Sequence, residues 1–381
     1  MYYERRLRTS LLRSKKSVLL LGPRQTGKST LIRRLAPDLE INLADEEGYL
    51  EFLRHPGLLK SAISKSRTVF IDEIQRIPSL LNTIQFILDR GDGPKFYLTG
   101  SSARKLKRGK ANLLPGRILT YELGPLAYSE IGASFDISVA LRKGLLPGVY
   151  TESDAGTWTK VLRSYAATYL KEEVQAEALT RNLEGFSRFF DTICANSGSF
   201  IDFTKYASLA SIERMTARRY FDVLADTLVI QPVEPFTKSM TRRIIQHPKY
   251  YLFDVGVLNG VLGNFEASAD RVGVLFEHLV LQLILSEAKC RDVDYRISAY
   301  RTDAGAEVDL VVEIGRKIFA IEIKASKNVG KSDLRGLESF KAFYGRGVTR
   351  LVIYRGERSL SMGGVEILPL GDALAVLGLL D

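Results

Sequence analysis

The octapeptide at residues 22–29, which reads Gly-Pro-Arg-Gln-Thr-Gly-Lys-Ser, is the segment that most constrains this chain. It satisfies the phosphate-loop pattern G-x-x-x-x-G-K-[ST], which belongs between a buried strand and a helix. An apolar run at residues 18–21 precedes it, and a helix-compatible segment at residues 30–35 follows it. The sequence therefore predicts a phosphate-binding strand–loop–helix unit of an α/β fold, rather than a turn that binds nothing.

The residue types of this loop predict a role for several positions. Gly22 and Gly27 let the backbone curl so that its N–H groups face phosphate oxygens. We expect Lys28 to reach the β- and γ-phosphates of ATP and the Ser29 hydroxyl to join a Mg²⁺ shell. The whole predicted nucleotide-contacting set is Gly22, Pro23, Arg24, Gln25, Thr26, Gly27, Lys28, Ser29 and Thr30.

Two further strand ends carry the groups that ATP hydrolysis needs. The apolar run at residues 69–71 ends in Asp72 and Glu73. We expect Asp72 to hold Mg²⁺ through water and Glu73 to polarise the water that attacks the γ-phosphate. The run at residues 95–99 leads to Ser101, which is either a sensor of the γ-phosphate or part of an ordinary turn. The sequence thus predicts a Mg²⁺-dependent ATPase.

Arg117 directly precedes the last strand-like run of the first 125 residues. It is either an arginine finger that stabilises the transition-state charge or a surface arginine after a turn. A finger would act in its own subunit or in a neighbouring one, and the second arrangement is compatible with a ring or a dimer. Arg104 is a weaker candidate for the same role.

The chain has 381 residues and a formal net charge of +10. Its length predicts two or three domains. Residues 1–34 carry ten Lys or Arg against one acid, and residues 104–117 carry six with no acid. These basic segments either form a surface that binds a polyanion, for which we expect DNA first, or are ordinary solvent-exposed charges, some of which belong to the ATP site.

The chain shows no signal for a membrane or for secretion. No stretch has the apolar length that spans a bilayer, and no apolar secretion segment follows residues 1–6. The two cysteines, Cys194 and Cys290, lie in unrelated contexts. We therefore expect a reducing, cytoplasmic environment and no membrane partner.

Strand and helix signals divide the chain into three predicted domains. Residues 1–125 alternate between them, as a parallel sheet flanked by helices would. The expected strands lie near 17–21, 39–43, 68–72, 95–99 and 118–123, and the expected helices near 28–36, 47–65 and 79–90. Residues 126–240 are interpreted as a helical lid with a winged helix, and residues 241–381 as a second α/β domain.

Residues 197–236 follow the order of a winged helix. We expect a short helix over 200–209, a longer helix over 212–225 with Ser211 as its N-cap, and a strand-like run at 228–233. Met215 is assigned to the apolar side of the longer helix. Three arginines of that helix are predicted DNA contacts: Arg214, Arg218 and Arg219. The alternative is that this unit only packs against the ATPase core.

The C-terminal part contains a spaced set of carboxylates and one lysine. Glu277 lies in an apolar helical stretch and Asp309 in an alternating strand, whereas Glu322 and Lys324 share one face of the next strand. A hairpin over 308–324 would bring Asp309 alongside the other two. Metal-dependent phosphodiester hydrolysis needs acids that hold Mg²⁺ and a lysine that activates water. The alternatives are a nuclease fold that does not cleave and a hairpin with exposed Glu and Lys side chains.

Together these motifs resemble those of prokaryotic AAA-family ATPases whose C-terminal domain of unknown function is similar to PD-(D/E)xK nucleases. The matching segments span nearly the whole chain and are LGPRQTGKS (21–29), FIDEIQ (70–75), LTGSS (98–102), PGR (115–117), ELGPLAYSE (122–130), KYYLFDVG (249–256), EVDL (307–310) and IEIK (321–324). The resemblance implies a winged helix between a P-loop ATPase core and a restriction-endonuclease-like domain.

Three functions are compatible with this organisation. The first is an ATPase that binds DNA and couples its nucleotide state to DNA engagement or processing. The second is an ATP-dependent switch or scaffold whose nuclease-like domain binds without cleaving. The third is a nuclease that ATP licenses.

Overall fold

The structure, a computed structural model, describes residues 2–91, 93–101, 114, 116–167, 182–237 and 247–380. Its first sheet has five strands in the order β2-β3-β4-β1-β5, and every pair is parallel. The strands are β1 (Ser17–Leu21), β2 (Leu39–Asn42), β3 (Thr68–Asp72), β4 (Lys95–Gly100) and β5 (Ile118–Glu122). The predicted parallel sheet is therefore confirmed.

Helices flank this sheet, and they are α1 (Arg8–Arg13), α2 (Lys28–Arg33), α3 (Glu46–Arg54), α4 (Leu58–Ala62) and α5 (Leu80–Arg90). The single helix expected over 47–65 is wrong, because α3 and α4 are separate helices. Pro56 lies between them, and it lacks the N–H that a continuous helix would need. The residue before a proline also avoids helical backbone angles, and His55 accordingly ends α3 with φ −131° and ψ 69°.

Both faces of the first sheet are buried. Leu19, Ile71 and Leu98 belong to the core on one face, whereas Leu20 and Phe70 belong to the core on the other. This alternation follows from the two-residue period of a strand, and it explains why the strands are continuous apolar runs. Since all five strands are parallel, the residues that follow β1, β3 and β4 meet at one edge of the sheet.

The middle of the chain is helical. Its helices are α6 (Tyr128–Ile131), α7 (Ile137–Lys143), α8 (Pro147–Tyr150), α9 (Ala155–Ser164), α10 (Leu183–Ala195), α11 (Phe203–Ala210) and α12 (Arg214–Asp226). Ser211 does not cap α12 as expected. It ends α11 in the left-handed region at φ +53°, and Glu213 is the residue that precedes α12. Met215 is 72% exposed, so its assignment to the apolar side of the helix is also wrong.

A second, mixed sheet of eight strands has the order β12-β13-β11-β10-β9-β8-β6-β7. Its strands are β6 (Ile230–Pro235), β7 (Lys249–Leu252), β8 (Tyr295–Arg301), β9 (Glu307–Ile314), β10 (Lys317–Lys324), β11 (Val348–Tyr354), β12 (Leu360–Met362) and β13 (Val365–Pro369). The antiparallel pair β6–β7 joins the sheet through a parallel pairing of β6 with β8. The boundary expected at 240/241 falls in the stretch 238–246, which lies outside the described residues, between the two strands of this pair.

Among the described residues the C-terminal part has the helices α13 (Val255–Leu262), α14 (Val272–Cys290), α15 (Arg335–Tyr344) and α16 (Leu370–Val376). Helix α14 docks the C-terminal part on α6 and on the end of β5. The buried carboxylate of Glu287 accepts hydrogen bonds from the Ser129 N–H at 2.6 Å and the Ser129 hydroxyl at 2.9 Å, and Lys289 lies 2.7 Å from Glu122. Within the described ranges, no helix has the length and apolar character needed to cross a membrane.

Candidate nucleotide site and carboxylate cluster

The phosphate loop connects β1 to α2, as predicted, and two of its glycines are required by its geometry. A Cβ atom at Gly22 would lie 2.2 Å from the carbonyl oxygen of Leu123, which is backbone and cannot move aside. Gly27 precedes α2 at φ +90°, a left-handed angle that favours glycine. The loop is therefore held close to the segment that follows β5.

Lys28 lies inside this loop. Its ammonium donates hydrogen bonds to the carbonyl oxygens of Gly22 and Pro23, both at 2.8 Å. Burial lowers the pKa of Lys28 to about 8, against the opposing attraction of Glu73 and Asp72. A bound phosphate would offer this ammonium anionic acceptors in place of neutral carbonyl groups.

The two residues predicted to hold Mg²⁺ are in contact. The Ser29 hydroxyl donates to Oδ1 of Asp72 at 2.9 Å, across 43 residues of sequence. Hydroxyl and carboxylate oxygens are ligands that Mg²⁺ accepts, so this pair fits a nucleotide-bound Mg²⁺. The Thr99 hydroxyl donates a hydrogen bond to the same Asp72 oxygen. Thr99 was not among the residues predicted from the sequence. Its position near the end of β4, within the Leu-Thr-Gly-Ser-Ser match, was the available signal.

Gln75 connects the two other predicted catalytic groups. Its side-chain amide donates hydrogen bonds to the carboxylate of Glu73 and, at 3.1 Å, to the hydroxyl of Ser101. Gln75 is buried, and Glu73 has the left-handed backbone angle φ +57°. One amide therefore positions both the expected water-activating carboxylate and the expected γ-phosphate sensor, a role the sequence analysis missed.

Arg5 supports the loop from the N-terminus, and no pattern in the sequence pointed to it. Its guanidinium donates to the Thr26 carbonyl at 2.5 Å, to the Glu130 carboxylate at 2.9 Å and to the Gly124 carbonyl at 2.9 Å. Both members of the Arg5–Glu130 pair are buried. This arginine, counted above among the basic residues of the N-terminus, is thus an internal support and not part of a surface.

The structure does not bring Arg117 to the nucleotide site of its own chain. β5 runs parallel to β1 with Ile118 opposite Ser17, so Arg117 lies at the edge where the strands begin. The phosphate loop lies at the opposite edge. The Arg117 guanidinium forms an ion pair with Asp89 at the end of α5. A finger role in its own subunit is therefore wrong, a role in a neighbouring subunit stays a prediction, and Arg104 lies outside the described residues.

Other parts of the chain also contact the phosphate loop. The Tyr165 hydroxyl, just after α9, donates to the Arg24 carbonyl at 3.2 Å. A cavity of about 40 Å³ separates Gly22 and Pro23 from Leu252 and His278 of the C-terminal part. Burial lowers the pKa of His278 to about 4, which keeps its ring neutral. The nucleotide loop therefore contacts the helical part through Tyr165 and faces the C-terminal part across this cavity.

The predicted nuclease residues lie close together at the hairpin of β9 and β10. The Ile323 N–H donates to Oδ2 of Asp309 at 2.8 Å, and the Lys324 ammonium lies 2.8 Å from Glu322. Burial raises the pKa of Asp309 well above its usual value, and the nearby Glu277 and Glu322 add to this shift. The expected hairpin and the shared face of Glu322 and Lys324 are confirmed.

One further residue enters this cluster, and the sequence analysis missed it. Lys249, the first residue of β7, has its ammonium 2.5 Å from Glu277, 3.4 Å from Glu307 and 3.7 Å from Asp309. We call these side chains, with Glu322 and Lys324, the carboxylate cluster. The only feature of the sequence that pointed to Lys249 was its position at the start of the matching segment Lys-Tyr-Tyr-Leu-Phe-Asp-Val-Gly (249–256).

The arginines expected to contact DNA are on the surface. Arg214, Arg218 and Arg219 are all exposed on α12, together with the exposed Met215. The Arg219 guanidinium lies 5.6 Å from the centre of the Tyr220 ring. Exposure leaves these guanidinium groups accessible to an anionic partner.

Comparisons with known proteins divide the chain in three. Residues 14–132 match a family model described as an AAA domain, residues 134–268 match a domain of unknown function (DUF8612), and residues 272–373 match another (DUF4143). Uncharacterized proteins of Mycobacterium tuberculosis and Mycobacterium bovis are each 28% identical, over 99% of this chain and 84% of theirs.

Similar solved structures include the following two. A DNA polymerase III gamma subunit-related protein from Thermotoga maritima is 13% identical with a TM-score of 0.23, over 58% of this chain and 97% of that one. A protein of Vibrio cholerae is 12% identical with a TM-score of 0.20, over 95% and 92%. Scores this low carry no argument about fold or function. The chain contains an AAA-type domain followed by two domains of unknown function.

Proposed function

We propose that this chain is a Mg²⁺-dependent ATPase that binds DNA and couples its nucleotide state to DNA engagement. The observation that carries the ATPase part is the 2.9 Å contact between Ser29 and Asp72, which joins the phosphate loop to the end of β3. An AAA-type domain over residues 14–132 agrees with this assignment. Mg²⁺, when bound with ATP, would neutralise phosphate charge beside these two residues.

The other groups at this edge of the sheet have roles that follow from their chemistry. Lys28 binds the phosphates as a cation, and Glu73 orients and deprotonates the attacking water. Gln75 holds Glu73 and Ser101 in a fixed relation, because its side-chain amide donates a hydrogen bond to each. Thr99 positions Asp72 through its hydroxyl hydrogen bond.

The DNA part rests on the region from α10 to β7. Three helices, α10, α11 and α12, precede the antiparallel pair β6–β7. Phe200, which lies between α10 and α11, forms an isolated β-bridge with Lys249 of β7. This order is the one expected for a winged helix, in which the third helix reads the major groove. The exposed arginines of α12 and the net charge of +10 support a polyanion partner.

A steady-state ATPase assay tests the proposal. The rate is measured without polymer and with double-stranded DNA, single-stranded DNA or RNA, at two salt concentrations. We expect one form of DNA to stimulate the rate, and stimulation to weaken as salt rises. The variant Arg218→Ala/Arg219→Ala should lose stimulation but keep its basal rate. Arg296→Ala, which removes a 60% exposed arginine of β8, is the matched control.

The second candidate is an ATP-dependent switch whose C-terminal domain binds a partner without cleaving it. The docking of α14 on α6 through Glu287 and on β5 through Lys289 favours it, because this contact can transmit a change in the ATPase core. An ATPase rate that is indifferent to every nucleic acid would move the assignment to this switch.

A further inference from the structure

The resemblance to nucleases implies a divalent metal in the carboxylate cluster, and the residues can be tested for that fit. Mg²⁺ requires near-octahedral oxygen ligands at about 2.0–2.1 Å. In the described part of the chain, no group of three or more His, Cys, Asp or Glu side chains is arranged to hold a metal ion. The space between Glu277, Glu307 and Asp309 contains the Lys249 ammonium instead.

Lys249 is fixed in this position. Its side chain is 4% exposed. Its backbone is paired with Val233 of β6 and bridged to Phe200. The ammonium lies 5.9 Å from the centre of the Phe200 ring and 5.8 Å from that of Tyr251, so aromatic side chains border it. The ammonium is therefore enclosed by protein groups and does not extend into solvent.

The carboxylate oxygens that a metal would need already accept hydrogen bonds from protein groups. Oε1 of Glu277 receives both the Lys249 ammonium and the Tyr251 hydroxyl. Oδ2 of Asp309 receives the Ile323 N–H at 2.8 Å. These donors favour the cluster as it stands, because each would lose its partner if a metal took the oxygen.

We infer that the Lys249 ammonium is the resident cation of the carboxylate cluster and excludes a divalent metal from it. Three carboxylates surround one ammonium within 4 Å, which is the arrangement a buried lysine needs to stay charged. Burial alone would lower the pKa of Lys249, but its acidic neighbours, Tyr251 and Glu277 first, raise it well above its usual value. The inference does not depend on the proposed ATPase, because none of these groups belongs to the nucleotide site.

The consequence is a C-terminal domain whose carboxylates surround a lysine instead of a metal ion, so that it does not carry out metal-dependent cleavage. A phosphodiester bond approaching this cluster would meet acidic groups without the Lewis acid that neutralises phosphate charge. The domain then contributes contacts or structural coupling, and Lys324 serves as the partner of Glu322 and Asp333 rather than as an activator of water.

A metal-binding experiment on the full chain tests this inference. All proteins carry Asp72→Asn, which removes the metal ligand of the nucleotide site, and are prepared in chelator without nucleotide. Binding of Mn²⁺ is measured from the loss of the free-ion electron paramagnetic resonance signal, and thermal unfolding is recorded with and without Mn²⁺. We expect no binding and no shift of the melting temperature in this parent protein.

The variant Lys249→Met keeps an unbranched side chain that is one atom shorter and removes its charge. It should bind about one Mn²⁺ per chain and melt at a higher temperature with Mn²⁺ than without it. Adding Asp309→Asn should abolish both effects. Lys324→Met is the matched control, because it removes the same charge from the edge of the cluster, where the side chain is 31% exposed. It should gain no metal site.

Three results would overturn the inference. The first is binding of Mn²⁺ by the parent protein that Asp309→Asn removes, and it can be obtained even if Lys249→Met does not fold. The second is a folded Lys249→Met protein that binds no Mn²⁺, because Lys249 would then not be what excludes the metal. The third is equal binding by Lys249→Met and Lys324→Met, since net charge and not the position of Lys249 would then decide.

Discussion

Replacing Arg5 by alanine is expected to destabilise the first domain and to weaken ATP binding together. The guanidinium links the Thr26 carbonyl of the phosphate loop to Glu130 and to the carbonyls of Gly124 and Pro125. The Glu130 side chain is 0% exposed, so Arg5→Ala leaves a buried carboxylate without its cation. The loop also loses the hydrogen bond that holds Thr26.

The magnitude follows from what remains around Glu130. Breaking a buried ion pair by removing one partner typically costs about 3–5 kcal/mol. The lower end applies because the N–H groups of Arg6 and Ala127 still donate to Glu130, at 2.9 and 3.0 Å. A loss of about 3 kcal/mol should lower the melting temperature by roughly 10 °C for a domain of this size.

The assay is thermal unfolding followed by circular dichroism, with ATP affinity measured on the same preparations by calorimetry. Arg8→Ala is the matched control, because its ion pair with Glu4 is exposed, at 42% and 59%. Exposed pairs contribute little, so the control should melt within about 2 °C of the wild type. The double variant Arg5→Ala/Glu130→Ala should lose less than the sum of the single changes. An Arg5→Ala protein that melts and binds ATP like the control would refute the reasoning.

Three further predictions concern the nucleotide site. Lys28→Ala should abolish ATP binding in calorimetry, whereas Glu73→Gln should bind ATP normally and lose turnover; full turnover by Glu73→Gln would contradict its role as the base. Since the pKa of Lys28 is lowered to about 8, its ammonium loses charge above that pH. The Kd for ATP should then be flat below about pH 7.5 and rise up to about tenfold per unit above pH 8, whereas Lys28→Arg should be flat throughout. Gln75→Ala should lower kcat with little change in KM, because Glu73 and Ser101 lose their shared donor; an unchanged kcat would show that the amide positions neither group.

Features that depend on short stretches of sequence were predictable. The phosphate loop is a local motif between an apolar strand and a helix, so its position at residues 22–29 was determined by adjacent residues. Ser29 and Asp72 were both assigned to one Mg²⁺, and their proximity follows because strands buried on both faces run parallel and present their ends at one edge. The direction of those strands equally places Arg117 at the other edge, which the sequence interpretation overlooked.

Two predictions from local sequence patterns were wrong, the N-cap at Ser211 and the apolar position of Met215. Serine is a common N-cap residue, yet Ser211 ends α11 in the left-handed conformation and does not begin α12. Met215 fitted an apolar pattern, but α12 packs through Tyr220 and Val223 and leaves Met215 in solvent. For Met215 the packing of α12 decided which of its sides is buried.

The sequence by itself determined the parallel sheet, the nucleotide loop and the hairpin that brings Asp309 beside Glu322, because each arises from contacts within one motif or between adjacent strands. Only the tertiary structure decided the roles of Arg5 and Lys249. Arg5 meets Glu130 across 125 residues, and Lys249 meets Asp309 from a strand that pairs elsewhere in the sheet. A buried cation is stabilised by whichever carboxylates the fold places around it, and no local spacing encodes that choice.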